Sequence, residues 1–82
     1  MIKNEQERVR IGRRISDLRK TIEWKDSAGK RRTGWTQAEL AERTGLQRSH
    51  IARLEAGKYG ATIDVLSAIA GALGVTVDFV KQ

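Results

Sequence analysis

The sequence contains no cysteine and no proline among its 82 residues, and only four of those residues are aromatic. The absence of cysteine excludes disulfides and thiolate-bound metal sites, and it is compatible with a reducing cytosol. With no proline present, glycines punctuate the chain and fall between its periodic segments. A chain of this length forms one domain with a modest core, so we assign residues 1–82 to a single domain.

Long apolar runs are also missing. Residues 3–7 are polar and no apolar run follows them, so the sequence predicts no secretory signal peptide. No stretch approaches the roughly 18 apolar residues of a membrane span, and no aromatic-rich apolar face indicates binding to a membrane surface. We therefore expect a cytoplasmic protein without a membrane partner.

The sequence lacks the groups of residues that catalysis requires. Its one histidine, His50, has no cysteine and no second histidine with which to share a metal ion. No nucleophile–base pair and no phosphate-binding glycine loop can be recognised. These absences argue against an enzyme, and we expect no cofactor, metal or small-molecule ligand.

Positive charge is present in excess and is unevenly distributed. The formal net charge is +6. Residues 1–35 contain eleven Lys and Arg against five Asp and Glu, whereas residues 36–82 contain five of each kind. A basic balance suits a polyanionic partner such as nucleic acid, although many proteins are mildly basic without one.

The first segment has the periodicity of an amphipathic helix. Four apolar residues recur at helical spacing and form one stripe: Ile11, Ile15, Leu18 and Ile22. The spacing predicts a first helix at about residues 5–22.

Residues 23–34 interrupt the helical pattern. Two short runs with strand-favouring residues flank the turn-forming residues DSAG at 26–29, which indicates a β-hairpin. An isolated hairpin is marginal in water, so Trp24 or Trp35 would have to pack on the helices. The alternative is an extended, mobile loop.

The start of the second helix carries the strongest local signal. Thr36 and Glu39 have the spacing of a capping box, in which each side chain accepts a hydrogen bond from the other residue's backbone N–H. The second helix is therefore predicted from Gln37 to Thr44. Gly45 can adopt the left-handed conformation that ends it.

Similar signals predict the remaining helices. The third is expected at Arg48–Ala56 and the fourth between a cap at Thr62 and a glycine at Gly74. Residues 75–80 repeat the capping pattern, which predicts a last short helix. The expected fold class is all-α: five short helices with a β-hairpin insert at 23–34 and a helix-turn-helix at 36–56.

The spacing of three residues satisfies the geometry of a helix-turn-helix. Two helices that cross closely need a small residue on the first helix, and Ala41 provides it. The turn needs a residue that tolerates positive φ, which is Gly45, and the second helix needs an apolar residue at the crossing, which is Ile51. Some helical domains without a nucleic-acid role use the same bend.

The run WTQAELAERTGLQRSHIARLEAGK, followed by TIDVLSAIAGALGVTVDFV, resembles the Cro/repressor-type helix-turn-helix family, also called the XRE family. The run IGRRISDLRK resembles the first helix of that family, so that the similarity covers about residues 9–81. The segment Glu23–Gly34 differs, because most members have a short turn there. The resemblance implies a lambda-repressor-like fold and dimeric binding to operator DNA, with the third helix in the major groove.

The resemblance also implies which residues contact bases. Arg48 and Ser49 would meet base edges at the start of the third helix, and Arg53 would lie one turn further on. Arginine can donate a bidentate pair of hydrogen bonds to O6 and N7 of guanine. Both arginines would therefore bind guanine if they reach it, whereas the serine is too short to assign to a base.

Further positions follow from the same resemblance. Gln37 and Lys58 would bind backbone phosphates on either side of the third helix. Arg19 and Glu55 occupy positions that form an ion pair between the first and third helices in similar proteins, although they could be unrelated charges. His50 is either a plain helix-surface residue or a further phosphate contact.

The densest basic cluster lies in the predicted hairpin and consists of Lys30, Arg31 and Arg32. One interpretation is a solvated charged loop. The other is a phosphate-binding segment beside the recognition helix, which Lys25 would join from the facing strand. The sequence favours neither.

The leading functional prediction is a homodimeric transcriptional regulator, acting as a repressor on a two-fold symmetric operator and bound at the nucleoid. Three settings fit equally: a phage-type repressor, a controller of a restriction–modification system, and an antitoxin. The alternative class is an adaptor that uses the fold to bind proteins and does not recognise DNA. The salt dependence of DNA affinity distinguishes the two classes, because specific DNA binding weakens steeply as the salt concentration rises.

Overall fold

In the computed structural model, residues 4–58 and 60–77 are described, and they form four helices and one two-stranded hairpin. In chain order the elements are α1 (Asn4–Thr21), β1 (Glu23–Lys25), β2 (Arg31–Thr33), α2 (Gln37–Thr44), α3 (Arg48–Glu55) and α4 (Ile63–Leu73). The predicted all-α class with a hairpin insert is confirmed. The bounds of the first and third helices differ from the predicted ones by one residue.

The predicted number of helices is wrong for the described residues. Val75–Val77 is not helical, and the rest of the predicted fifth helix, residues 78–80, lies outside the described residues. The backbone N–H of Val75 instead donates to the carbonyl of Ala70 at 2.9 Å, which completes the end of α4. Val75 and Val77 remain 39% and 41% exposed, so this segment lacks the apolar packing that supports a short helix.

The bend between α2 and α3 contains the capping box and the left-handed glycine that the sequence predicted. Thr36 Oγ1 accepts from the Glu39 amide at 3.0 Å and Glu39 Oε1 accepts from the Thr36 amide at 3.1 Å, so both halves of the capping box form. Gly45 ends α2 with φ of +74°, and its N–H donates to the carbonyl of Ala41. Leu46 donates to the same carbonyl at 3.1 Å. These bonds set the angle at which α3 leaves α2.

The hydrophobic core lies where the helices meet. Leu40, Ile51 and Ile69, from three different helices, are the largest fully buried side chains. The remaining buried members of the cluster are Ile15, Trp35, Ala41, Leu54 and Leu73. Burying an aliphatic side chain stabilises a fold by about 1.5–3 kcal/mol, so this cluster fixes α3 against the other helices.

α1 and α3 approach each other through a glycine. A Cβ atom at Gly12 would lie 2.2 Å from the carbonyl oxygen of Leu54 and 2.8 Å from that of Glu55. Both neighbours are backbone atoms of α3, which cannot move aside as a flexible side chain could. Gly12 therefore sets the distance between the two helices.

The hairpin is antiparallel and closes through the predicted turn. Trp24 lies opposite Arg32, and Lys25 lies opposite Arg31. At the turn, Asp26 Oδ1 accepts from the amides of Ala28 and Lys30 at 3.0 and 2.9 Å, which ties the loop to one carboxylate.

Two tryptophans attach the hairpin to the helices. Trp24 Nε1 donates to the carbonyl of Gly34 at 2.9 Å, and the Trp24 and Trp35 rings lie 6.5 Å apart. The Arg43 guanidinium of α2 lies over both rings, 5.3 Å from the centre of Trp24 and 4.3 Å from that of Trp35. A cation over an aromatic face is attracted to it. The hairpin thus packs on the domain, as its stability requires.

Candidate nucleic-acid interface

α3 presents one side to the core and the other to solvent. Ile51 and Leu54 are buried, whereas Arg48, Ser49 and Arg53 are exposed. Helical spacing places Ser49 opposite the buried side, with the two arginines on either side of it. None of these three side chains has an ion pair with another described residue. The predicted base-contacting residues are therefore together on one outward surface.

The start of α3 is open to an external acceptor. Its N-cap residue, Gln47, makes no hydrogen bond with its side chain to the first turn. The first N–H groups of a helix have no partner within the helix, and the helix dipole favours an anion near them. His50, in the same turn, is half-buried, and its own backbone N–H donates to the Gln47 carbonyl at 3.0 Å.

The segment after α3 turns sharply at a glycine. Gly57 has φ of +72°, and a Cβ atom there would lie 2.9 Å from Cγ2 of Val9 on α1. The Lys58 amide donates to the carbonyl of Arg53 at 3.1 Å, and the Lys58 side chain is exposed. The turn thus places a predicted phosphate-binding lysine directly after the last turn of α3.

A buried ion pair holds the back of α3. Arg19 Nε and Nη2 donate to Glu55 Oε2 and Oε1 at 2.7 and 2.8 Å, and Arg19 Nη1 donates to the Trp35 carbonyl at 2.7 Å. The two side chains are only 10% and 6% exposed. Arg19 and Glu55 therefore connect α1, α3 and the segment before α2 through one network.

The pKa values in this network reflect the pairing. Burial alone would raise the pKa of Glu55, but hydrogen bonds from Arg19 and Gln37 outweigh burial and hold the pKa below its ordinary value. The hydrogen bond to Glu55 raises the pKa of Arg19. Both groups stay charged near neutral pH, and each satisfies the other inside the protein.

Gln37 contacts this network directly. Its Nε2 donates to Glu55 Oε1 at 3.1 Å, and the residue is half-buried. The side chain predicted to bind phosphate is therefore fixed by α3 before any ligand arrives. Its role as a phosphate contact stays a prediction.

The basic cluster of the hairpin is divided by the structure. Arg32 Nε pairs with Asp26 Oδ2 at 2.9 Å, whereas Lys30 and Arg31 are exposed and have no ion pair with a described residue. The hydrogen bonds from Arg32 and from the backbone of Lys30 and Ala28 lower the pKa of Asp26. One of the three cations is thus paired with the carboxylate of the turn, and the other two have no ion pair with a described residue.

The helix-turn-helix family profile, HTH_3, matches residues 30–80, more than half of the chain. The chain belongs to this family. The resemblance to the Cro/repressor-type family that the motif predicted is confirmed, and the family is one of DNA-binding regulators and not of enzymes.

Two known proteins are similar to this helix-turn-helix protein, one in sequence and one in fold. An immunity repressor protein of Bacillus phage phi105 is 36% identical over 67 residues, which span 82% of this chain and 39% of the relative. A solved structure described as an HTH_3 family transcriptional regulator from Vibrio cholerae is similar in fold, with a TM-score of 0.70 at 23% identity. That match covers 90% of this chain and 35% of the other. The chain thus spans less than half the length of both relatives.

Three structural residues of this helix-turn-helix protein were not identified from the sequence. Gly12 had a usable signal, because a glycine inside a helix costs about 1 kcal/mol relative to alanine and needs a reason. Arg43 had none, since the two tryptophans lie beside it only once the hairpin folds onto α2. Asp26 was recognised only as part of the turn, and its pairing with Arg32 across the hairpin was not predicted.

Within residues 4–58 and 60–77, no group of three or more His, Cys, Asp or Glu side chains is arranged to hold a metal ion. None of the helices in those ranges is long and apolar enough to cross a membrane.

Proposed function

We propose that this protein binds double-stranded DNA in a sequence-specific manner as a homodimer and regulates transcription, acting as a repressor. The observation that carries the proposal is the exposed surface of α3, where Arg48, Ser49 and Arg53 form no ion pair with a described residue while Ile51 and Leu54 are buried on the opposite side. A rigid helix with free hydrogen-bond donors suits the major groove, where each base pair presents a distinct pattern of donors and acceptors.

The relatives support the regulatory part of the proposal. The phage relative is named an immunity repressor, and the region shared with it covers most of this chain. Two copies of α3, related by a two-fold axis, would contact half-sites about one helical turn apart, roughly 34 Å. Occupation of such an operator would exclude RNA polymerase from an overlapping promoter.

Replacing Arg48 with alanine tests the contact with bases. We expect Arg48→Ala to weaken binding to a selected duplex by about 1–3 kcal/mol and to relax the preference at one base position, because a bidentate donor to guanine is lost. Fluorescence anisotropy with the selected duplex and its single-base variants measures both effects. Unchanged affinity and unchanged preference would show that α3 does not lie in the groove as proposed.

Lys58→Ala provides the matched comparison at a phosphate position. Loss of this exposed lysine should weaken all duplexes alike and reduce the slope of log K against log salt by about 0.9 per subunit, or about 1.8 for the homodimer, with the base preference unchanged. A change in base preference in this variant would place Lys58 at a base edge and not at a phosphate.

A further inference from the structure

The geometry points to a second DNA contact in this protein: the tip of the hairpin, through Lys25, Lys30 and Arg31, binds backbone phosphates of the same duplex that α3 contacts. We call these three residues the tip cations. This inference rests on the proposed function and adds to it a contact outside the helix-turn-helix.

The strand register separates the hairpin cations into two groups. Residues directly opposite in an antiparallel pair project from the same side of the sheet. Trp24 and Arg32 are opposite each other, and the Trp24 ring packs against Trp35. Lys25 and Arg31 are opposite each other on the other side, and both are exposed. The tip cations on the strands therefore project away from the tryptophans.

Pairing within the hairpin leaves these charges uncompensated. Asp26, the carboxylate at the turn, is held by Arg32 at 2.9 Å and by two backbone amides. Glu23 shares the outer side but lies opposite Thr33, at the other end of the strands. The tip thus presents three cations and no free carboxylate among the described residues.

The placement of Lys25 opposite Arg31 is unfavourable without an anion. Like charges directly across an antiparallel pair destabilise it, and each strand here is only three residues long. A phosphate between the two cations would replace this repulsion with two charge-assisted contacts. The guanidinium of Arg31 can also hold two phosphate oxygens at once.

The hairpin is attached to the helical domain before any ligand binds. Trp24 and Trp35 attach it below the Arg43 guanidinium, and the Trp35 amide donates to the carbonyl of Arg19 at 2.9 Å. Gln37 lies four positions after Thr33, so the base of the hairpin lies within about 14 Å of the start of α2. An anchored segment loses little conformational freedom on binding, which favours the contact.

The double substitution Lys25→Gln and Arg31→Gln tests the contact. Affinity is measured between about 50 and 200 mM salt on a duplex selected with the wild-type protein. We expect the slope of log K against log salt to fall by about 0.9 for each lost phosphate contact, or about 3.6 for the homodimer, with the base preference unchanged. Shortening the flanks of the duplex should weaken the wild-type protein more than the double variant, which keeps only Lys30 of the three tip cations.

A second double substitution, Arg13→Gln and Arg14→Gln, controls for net charge. It removes the same two charges from exposed positions on α1 and should keep the wild-type slope. A tip variant with the wild-type slope would overturn the hairpin contact while leaving the proposed function standing, and the tip would then serve a partner other than DNA. An equal fall in both variants would also overturn it, as an effect of net charge. A wild-type protein that prefers no duplex would refute both proposals.

Discussion

Gly12→Ala is expected to destabilise the fold by at least about 3 kcal/mol, although alanine is the better helix former by about 1 kcal/mol. The added Cβ would lie 2.2 Å from the carbonyl oxygen of Leu54, so α1 and α3 would have to separate. Because α3 carries the proposed base contacts, DNA affinity should fall with stability. Urea denaturation followed by circular dichroism measures the free energy of unfolding.

Gly71→Ala is the matched control. Gly71 is also a helical glycine, but a Cβ atom there would meet nothing within 4 Å. This substitution should stabilise the protein by up to about 1 kcal/mol. If the two alanine variants were equally stable, the close approach of α1 to α3 would not exist as described.

Arg19→Met should also destabilise the fold strongly. It removes the partner of Glu55, whose side chain is only 6% exposed, and it takes a donor from the Trp35 carbonyl. Removing one member of a buried pair costs about 3–5 kcal/mol, because the remaining charge is buried without compensation. The free energy of unfolding near neutral pH should fall by that amount.

The exposed pair of Arg10 and Glu7 supplies the control. Its Nε–Oε2 distance of 2.7 Å equals that of the buried pair, but its side chains are 61% and 35% exposed. Arg10→Met should therefore change stability little, since water and salt screen the pair. If the two methionine variants lost equal amounts of unfolding free energy, burial would not be the reason for the effect of Arg19→Met.

The pH dependence of stability separates the wild-type protein from Arg19→Met. In the wild type, the pKa of Glu55 lies below its ordinary value of 4.5, so the ionised carboxylate stabilises the fold above that pH and the contribution is lost as pH falls through the lowered pKa. In the variant, burial without Arg19 should raise the pKa of Glu55 above 4.5. The contribution of Glu55 should then reverse sign, so that acidification relieves the penalty. Unfolding titrations from neutral pH to below pH 4.5 test both expectations, because the wild-type contribution is lost below pH 4.5 and the gain of the variant on acidification begins above it.

Local patterns in the sequence predicted the local features of the fold. The capping box at Thr36 and Glu39 and the left-handed residue at Gly45 depend on residues within a few positions of each other, and both form as predicted. The hairpin was also predicted, because its turn and strands are contiguous. The same reasoning failed at residues 75–77, where a capping pattern is present but exposed valines provide no packing to support a helix.

Contacts between distant elements could not be predicted in the same way. The role of Gly12 depends on how closely α3 passes α1, and the position of Arg43 depends on two tryptophans separated along the chain. The bond from Gln37 to Glu55 likewise appears only in the folded protein. At the candidate interface, the sequence predicted which residues are exposed on α3. The contacts that hold α3 in place could be identified only from the structure.

Selection of bound duplexes from a random pool tests the central claim most directly. If α3 binds in the major groove, we expect enrichment of a two-fold symmetric sequence with half-sites about 34 Å apart. Each half-site should contain a guanine opposite an α3 arginine. Recovery of duplexes with no shared sequence would contradict it, because the exposed side of α3 would then select no bases.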